Sequence, residues 1–132
     1  TYGDGLANVD IAKLIKFHKS HGKLATVTAV QSPGRYGALN RENDLVTSFV
    51  EKPKGDGGWI NGGFFVLNPK CINFIEGAST AWEQKPLADI AANGELMAFE
   101  HTKFWQPMDT YREMLMLNEM WEKQNIPWLS SE

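Results

Sequence analysis

The first periodic stretch of the chain predicts a helix over residues 8–21. Its apolar stripe recurs at helical spacing and consists of Ile11, Leu14, Ile15 and His18. Asn8 or Asp10 can cap the start of this helix, because short polar side chains accept from the free N–H groups of the first turn. Gly22 suits the left-handed conformation that commonly follows a helix end.

Three strand-like segments follow this helix. Residues 24–30 are rich in β-branched side chains, and residues 45–50 have a similar composition. Residues 59–67 are densely apolar, so we expect a third strand that is buried on both faces. Proline and three glycines within residues 53–58 predict a flexible surface loop between the second and third strands.

The rest of the chain alternates short helices with one strand. The predicted elements are a helix over 70–75, a helix over 87–92, a strand over 96–100 and a final helix over 110–124. The final helix is amphipathic, and its inner face is predicted to carry Met114, Leu117 and Trp121. This alternation predicts one α/β domain over residues 1–132, with a mixed sheet flanked by helices. Ligands of such sheets gather at the carboxyl ends of strands, and we expect Asp4 near such an end.

Composition narrows the class of protein. The chain has 132 residues and a formal net charge of −3, which provides no basic surface for nucleic acid. Cys71 is the single cysteine, so neither an intrachain disulfide nor a cysteine-based zinc site can form. The sequence contains no apolar run of membrane-spanning length and no signal peptide, and we expect a cytoplasmic protein without a membrane partner.

Asp4 and Asp109 are the candidate metal ligands. Asp4 lies between two glycines, and Asp109 follows Pro107 where the final helix begins. Each carboxylate has a simpler interpretation, since Asp4 suits a turn and Asp109 can interact favourably with a helix start. Taken singly, the simpler interpretation is favoured for each. Together, they match a two-carboxylate Mg²⁺ site that substrate phosphates complete.

The segment around Lys52 is a candidate phosphate contact. Glu51 and Lys52 end a predicted strand where the flexible loop begins, so Lys52 can hold a phosphate as a point charge. A solvated strand end is the alternative. Neighbouring strand residues point to opposite faces, and Glu51 therefore reaches the same ligand only through a bulge or twist.

Glycines within a strand mark another candidate site. Asn61, Gly62 and Gly63 interrupt an otherwise bulky strand, which indicates either close approach of a ligand or a β-bulge. Gly37 follows an arginine and a tyrosine that can form a wall against a sugar, or can simply begin a surface strand. The histidines have no spacing that would gather them around a metal ion, so we interpret them as structural.

Six segments together carry a family resemblance. They are residues 2–5 (YGDG), 35–39 (RYGAL), 49–57 (FVEKPKGDG), 60–69 (INGGFFVLNP), 82–84 (WEQ) and 104–110 (FWQPMDT). In this order they resemble the sugar-1-phosphate nucleotidylyltransferases, and the likeness is greatest to members that use CTP and glucose-1-phosphate. The resemblance implies a Rossmann-like nucleotidyltransferase sheet in which the N-terminal βα unit is absent.

The resemblance also implies a reaction and a set of site residues. A glucose-1-phosphate oxygen would attack the α-phosphorus of CTP, giving CDP-glucose and pyrophosphate with Mg²⁺ as cofactor. Asp4 and Asp109 would bind the Mg²⁺, and Lys52 would contact the sugar phosphate. The sugar hydroxyls and the hexose pocket would involve Gly37, Glu51, Asn61 and Gly62.

The family's N-terminal Gly-rich nucleotide signature has no counterpart among these residues. We therefore expect this chain to provide the sugar-phosphate and metal half of a nucleotidyltransferase domain, and to bind CTP only where the N-terminal segment is supplied. The resemblance further implies a homo-oligomer. The alternative is a truncated, non-catalytic module that binds a hexose phosphate or associates with itself.

Overall fold

The computed structural model describes residues 1–32, 34, 38–50 and 58–129. Its strands are β1 (Gly5–Ala7), β2 (Ala25–Val30), β3 (Ala38–Glu42), β4 (Leu45–Val50), β5 (Ile60–Leu67), β6 (Leu96–His101) and β7 (Trp105–Pro107). Its helices are α1 (Ile11–His21), α2 (Lys85–Ala92) and α3 (Tyr111–Glu122), with short 3₁₀ helices at Pro69–Phe74 and Pro127–Leu129.

The central sheet is mixed, as the sequence predicts. Its strand order is β5-β2-β6, with β2 antiparallel to β5 and parallel to β6. Helices α1 and α2 pack against these strands. The predicted α/β class with a helix-flanked mixed sheet is confirmed.

Two further strand pairs lie beside the central sheet. β3 and β4 form an antiparallel pair whose turn places Asn43 at a φ of 53°, a conformation that asparagine tolerates better than most residues. β1 pairs with β7 in antiparallel register, with Gly5 opposite Pro107 and Ala7 opposite Trp105. The sequence pattern predicted β4 but not β3. It also predicted neither β1 nor β7, because three-residue strands carry too short a pattern to detect.

The predicted ends of α1 are confirmed. The side chain of Asp10 accepts a hydrogen bond from the backbone N–H of Lys13 at 2.9 Å, and Gly22 follows the helix with a φ of 67°. Leu14 is the buried residue of this helix. Ile11 and Ile15 are each more than one-third exposed, so the predicted apolar stripe is only partly covered.

The core lies between β2, the 3₁₀ helix Pro69–Phe74 and α2. Ala25, Cys71 and Ile90 form its buried centre. The half-buried side chains that surround this centre are Leu24, Phe74, Trp82 and Leu96. Among the described residues, no helix is long and apolar enough to cross a membrane.

Two burial predictions were wrong. The ends of β5 are exposed, with Ile60 at 42% and Leu67 at 41%, so this strand is not buried on both faces along its length. In α3, Leu117 is buried as predicted, but Trp121 is 53% exposed. The sequence shows that these side chains are apolar. Whether they are buried depends on the packing partners that the tertiary fold provides, and the sequence does not show those partners.

A buried threonine joins two histidines where α1 meets β2. The Thr26 hydroxyl lies 2.9 Å from Nδ1 of His18 and 2.7 Å from Nε2 of His21. Because Nδ1 of His21 accepts from the backbone N–H of Lys23, its Nε2 carries the proton and donates to Thr26. The Thr26 hydroxyl then donates to His18, which must be neutral to accept.

Acid is expected to destabilise the protein through His18. Burial, assisted by neighbouring His21, lowers the pKa of His18 below its ordinary 6.5. The unfolded chain therefore binds more protons than the folded one as pH falls below 6.5, so the free energy of unfolding decreases. Urea unfolding at pH 7.5 and pH 5.5 measures this decrease. His18→Asn keeps an acceptor without titrating and should reduce it, and an unchanged pH dependence in that variant would contradict the assignment.

Candidate active site

A cavity of about 250 Å³ opens where the β1–β7 pair meets β5. Its polar lining includes Asp4, Asn61 and Asp109, and its apolar wall includes Phe64 and Trp105. The β1–β7 pair thus brings together residues that are more than one hundred positions apart in sequence. A cavity with an apolar wall and a few convergent polar groups is the usual form of a small-molecule site.

Asp4 lies in the turn at the amino end of β1. Asp4 was predicted near the carboxyl end of a strand. It precedes its own strand β1, but it lies beside the carboxyl end of β7, because β7 runs antiparallel to β1. The backbone N–H of Met108 donates to the carbonyl oxygen of Asp4 at 2.7 Å and extends the pairing by one step. This bond connects the chain next to Asp4 with the chain next to Asp109.

Thr110, rather than Asp109, caps helix α3. The Thr110 side chain accepts from the backbone N–H of Glu113 at 3.2 Å, and the Glu113 carboxylate accepts from the backbone N–H of Thr110 at 2.9 Å. The same carboxylate also accepts from the backbone N–H of Asp109 at 2.9 Å. This capping box satisfies the free donors of the helix start and leaves the Asp109 carboxylate exposed.

Stability measurements distinguish the two roles at this helix start. Thr110→Ala should lower the free energy of unfolding by about 1 kcal/mol, since it removes the cap. Asp109→Asn should change it by less than about 0.5 kcal/mol, because an exposed side chain outside the capping box adds little. Chemical denaturation of both variants tests this. A larger loss from Asp109→Asn than from Thr110→Ala would restore the simpler interpretation of Asp109 as a helix-start carboxylate.

The glycines of β5 occupy a β-bulge. Val27 of β2 pairs with Phe65, whereas Ala29 pairs with Asn61, so β5 has three residues where β2 has one. Gly63 has a φ of 80°, and a Cβ there would lie 2.7 Å from the Tyr2 ring. The bulge alternative for these glycines is confirmed.

Gly62 lines the cavity but also has a packing role. A Cβ at this position would lie 2.8 Å from Cγ1 of Val30 and 2.9 Å from the carbonyl oxygen of Thr28. The carbonyl oxygen of Gly62 accepts from the indole N–H of Trp105 at 2.8 Å. Close approach to β2 and β7 therefore accounts for glycine here without a ligand.

The glycines beside Asp4 differ from those of β5. A Cβ at Gly3 or at Gly5 would meet no heavy atom within 4 Å, and neither residue has a positive φ. The fold itself therefore does not require glycine at these positions. Their open surroundings leave the Asp4 carboxylate accessible to a ligand.

Asn61 is held at the cavity by two hydrogen bonds. Its Oδ1 accepts from the backbone N–H of Gly63 at 2.8 Å, and its Nδ2 donates to the hydroxyl of Tyr2 at 3.1 Å. The amide keeps one N–H and one lone pair for a ligand. Tyr2 is fixed in turn by its backbone N–H, which donates to the carbonyl oxygen of Gly63 at 3.1 Å.

Tyr2 stays protonated near neutral pH. Burial raises the pKa of its hydroxyl above the ordinary 10.0, while the Asn61 amide acts in the opposite direction. The nearby carboxylates of Glu83 and Asp4 raise this pKa further.

The donor set fits Mg²⁺ better than a transition metal. Within the described part of the chain, the carboxylates of Asp4 and Asp109 have no hydrogen-bond or ion-pair partner, and both line the cavity. In the same part of the chain, no group of three or more histidine, cysteine, aspartate or glutamate side chains could hold a metal ion. Mg²⁺ is commonly bound by one or two carboxylates, with water and substrate phosphates completing its shell.

The structure places four of the predicted site residues at one cavity: Asp4, Asn61, Gly62 and Asp109. The other three, Gly37, Glu51 and Lys52, lie outside the described residues, and their roles stay predictions. Trp105 also lines the cavity, as does Tyr2, which was not assigned a role from the sequence. Both residues belong to the segments that carry the family resemblance. Their hydrogen-bond partners in β5 are about forty to sixty residues away in sequence, so no local pattern indicates these contacts.

Comparisons with known proteins agree on one family. The chain is 58% identical over all 132 residues to the glucose-1-phosphate cytidylyltransferases of Salmonella typhi and of Salmonella typhimurium. The match covers 100% of this chain but 51% of each Salmonella protein. This chain therefore spans about half the length of these relatives.

A solved structure shares the fold. The crystal structure of HddC from Yersinia pseudotuberculosis matches with a TM-score of 0.62 and 26% identity, over 90% of this chain and 52% of that one. The sequence model of the nucleotidyl transferase family matches residues 2–115, which is most of the chain. This chain belongs to the nucleotidyl transferase family.

Proposed function

We propose that this chain provides the sugar-phosphate and metal site of an enzyme that transfers CMP from CTP to glucose-1-phosphate, with Mg²⁺ as cofactor. The observation that carries the proposal is the convergence of Asp4 and Asp109 on one cavity as exposed carboxylates without a partner among the described residues. The 58% identity to glucose-1-phosphate cytidylyltransferases supports the choice of CTP and glucose-1-phosphate.

The proposed chemistry requires alignment and neutralisation of charge. Bound Mg²⁺ would reduce the repulsion between the attacking sugar phosphate and the α-phosphate of the nucleotide. Asp4 and Asp109 would hold the ion at the cavity mouth, where phosphate oxygens can complete its shell. Both residues flank the β1–β7 ladder, so their backbones are fixed before substrate binds.

The remainder of the cavity suits a hexose. Asn61 can donate one N–H and accept one hydrogen bond from sugar hydroxyls, and the Trp105 and Phe64 side chains supply apolar surface. Lys52, Glu51 and Gly37 are proposed to complete the site on the basis of the family resemblance. Lys52 would contribute a positive charge on the sugar phosphate.

We also propose that the chain associates with itself. Ile11 and Ile15 are 48% and 37% exposed at neighbouring positions of α1, and Tyr111 and Leu115 are 72% and 49% exposed at neighbouring positions of α3. Adjacent exposed apolar side chains favour association. Sedimentation at several concentrations should show species heavier than 14.8 kDa, and a monomer at all concentrations would contradict self-association.

A chimera tests the enzymatic proposal. In it, this chain replaces the matching half of the Salmonella typhi glucose-1-phosphate cytidylyltransferase, whose other half supplies the nucleotide-binding segment. With CTP, glucose-1-phosphate and Mg²⁺, the chimera should release pyrophosphate and form CDP-glucose. A chimera that melts cooperatively and binds CTP but forms no CDP-glucose would contradict the proposal.

A further inference from the structure

The orientation of the Asn61 amide depends on groups at both of its ends. Its Oδ1 faces the backbone N–H of Gly63, which can only donate. Its Nδ2 faces the hydroxyl of Tyr2 at 3.1 Å. An inverted amide would set Nδ2 against the Gly63 N–H, and two donors in contact leave both unsatisfied.

The Tyr2 hydroxyl can accept from Asn61 only if its own proton points elsewhere. A phenol has one proton, and the Asn61 amide already donates to the Tyr2 oxygen. With the Tyr2 proton directed away from Asn61, a lone pair of the Tyr2 oxygen remains for the Asn61 N–H. Tyr2, Asn61 and the Gly63 backbone then form one chain of hydrogen bonds beside the cavity.

The Tyr2 ring is itself fixed by packing. It lies against Gly63, where a Cβ would come within 2.7 Å of its Cδ2. On another side, it contacts Phe65 with ring centroids 5.9 Å apart. These contacts do not involve the hydroxyl, so removing the hydroxyl alone should preserve the position of the ring.

We propose that Tyr2 is a positioning residue for the hexose site. In this arrangement, Tyr2 acts on the substrate through Asn61 and keeps the free N–H of the Asn61 amide directed at a sugar hydroxyl. The choice of ligand rests on the proposed function, since glucose-1-phosphate is the sugar phosphate assigned to this cavity.

A measurement without ligand tests the positioning itself. In the nuclear magnetic resonance spectrum of the 132-residue chain, the side-chain amide of Asn61 should be ordered, with one proton protected from exchange. Tyr2→Phe should remove that protection and lower the order of the amide. Asp44→Asn is the control, because Asp44 is exposed in the turn between β3 and β4 and lies outside the lining of the cavity. An Asn61 amide that is unchanged in Tyr2→Phe would overturn the proposal.

A double-mutant cycle then tests the functional consequence. The probe is α-D-glucose-1-phosphate with Mg²⁺, titrated into the chain and followed by calorimetry. Tyr2→Phe should weaken binding about fivefold to tenfold, as expected for one lost hydrogen bond in a site. In an Asn61→Ala background, the same change should have less than about a twofold effect, because the group that Tyr2 orients is gone.

The outcomes of this cycle separate the two proposals. If Tyr2→Phe weakens glucose-1-phosphate binding by the same factor with and without Asn61→Ala, Tyr2 contacts the sugar directly. That result would overturn the positioning role. Melting temperatures of all variants serve as the check that the fold is retained. Wild-type chain that shows the ordered Asn61 amide but binds no glucose-1-phosphate would contradict the proposed function and leave the hydrogen-bond chain established.

Discussion

Asp109→Asn is expected to reduce CDP-glucose formation by the chimera about 100-fold or more. A loss of about 2.7 kcal/mol in transition-state stabilisation corresponds to this factor, and metal ions commonly supply several kcal/mol to phosphoryl chemistry. Asparagine retains the size of the side chain but lacks its negative charge. The expected loss therefore reports charge at the metal site rather than shape, and initial rates of pyrophosphate release measure it.

Asp44→Asn is the matched control for this variant. Asp44 is an exposed aspartate in the turn between β3 and β4, outside the lining of the cavity. It should leave the rate within a factor of about two, as surface substitutions usually do. Activity of the Asp109→Asn chimera within threefold of the parent would show that Asp109 is not a metal ligand.

Gly62→Ala is expected to produce the largest loss of stability, about 2–4 kcal/mol. The added Cβ would lie 2.8 Å from Val30 and 2.9 Å from a backbone carbonyl of β2, so the strands must separate. Overpacking of a core commonly costs about 1–3 kcal/mol, and contact with backbone relaxes less easily than contact with a side chain. Urea denaturation of the chain measures this loss.

Gly77→Ala controls for the general effect of replacing glycine. A Cβ at Gly77 would meet no heavy atom within 4 Å, and Gly77 has no positive φ. This variant should be neutral or slightly stabilised, because alanine reduces the freedom of the unfolded chain. Equal effects of the two substitutions would contradict the close packing of β5 on β2.

Local signals in the sequence predicted the long elements well. Asp10 and Gly22 mark the ends of α1 by their own chemistry, and both positions are confirmed. The pattern of 24–30 similarly predicted β2 to within one residue. Such features depend on neighbours within one or two helical turns, so the sequence alone contains the information.

Features that depend on distant partners were not predicted. β1 and β7 are three residues each, and they form strands because they pair across a sequence separation of about one hundred residues. The role of Tyr2 depends in the same way on Asn61 and Gly63. No local pattern indicates such pairings, since propensity decides little over three residues.

The candidate site was predicted in part. The sequence paired Asp4 with Asp109, and the structure places both at one cavity, yet the evidence at each position allowed a simpler role. The structure shows why Asp109 is available, because the neighbouring pair Thr110 and Glu113 caps the helix. For Gly62, the structure instead shows that packing against β2 requires glycine, which the sequence could not distinguish from close approach of a ligand.

The most direct test asks whether Asp4 and Asp109 hold one divalent ion. Mn²⁺ can replace Mg²⁺ at oxygen-ligand sites, and its unpaired electrons broaden the resonances of nearby nuclei. With glucose-1-phosphate present, substoichiometric Mn²⁺ should broaden the amide signals of residues 3–5 and 108–110 together, and excess Mg²⁺ should restore them. Asp109→Asn should abolish the broadening at both segments. Broadening at one segment alone, or equal broadening in the variant, would contradict a shared metal site.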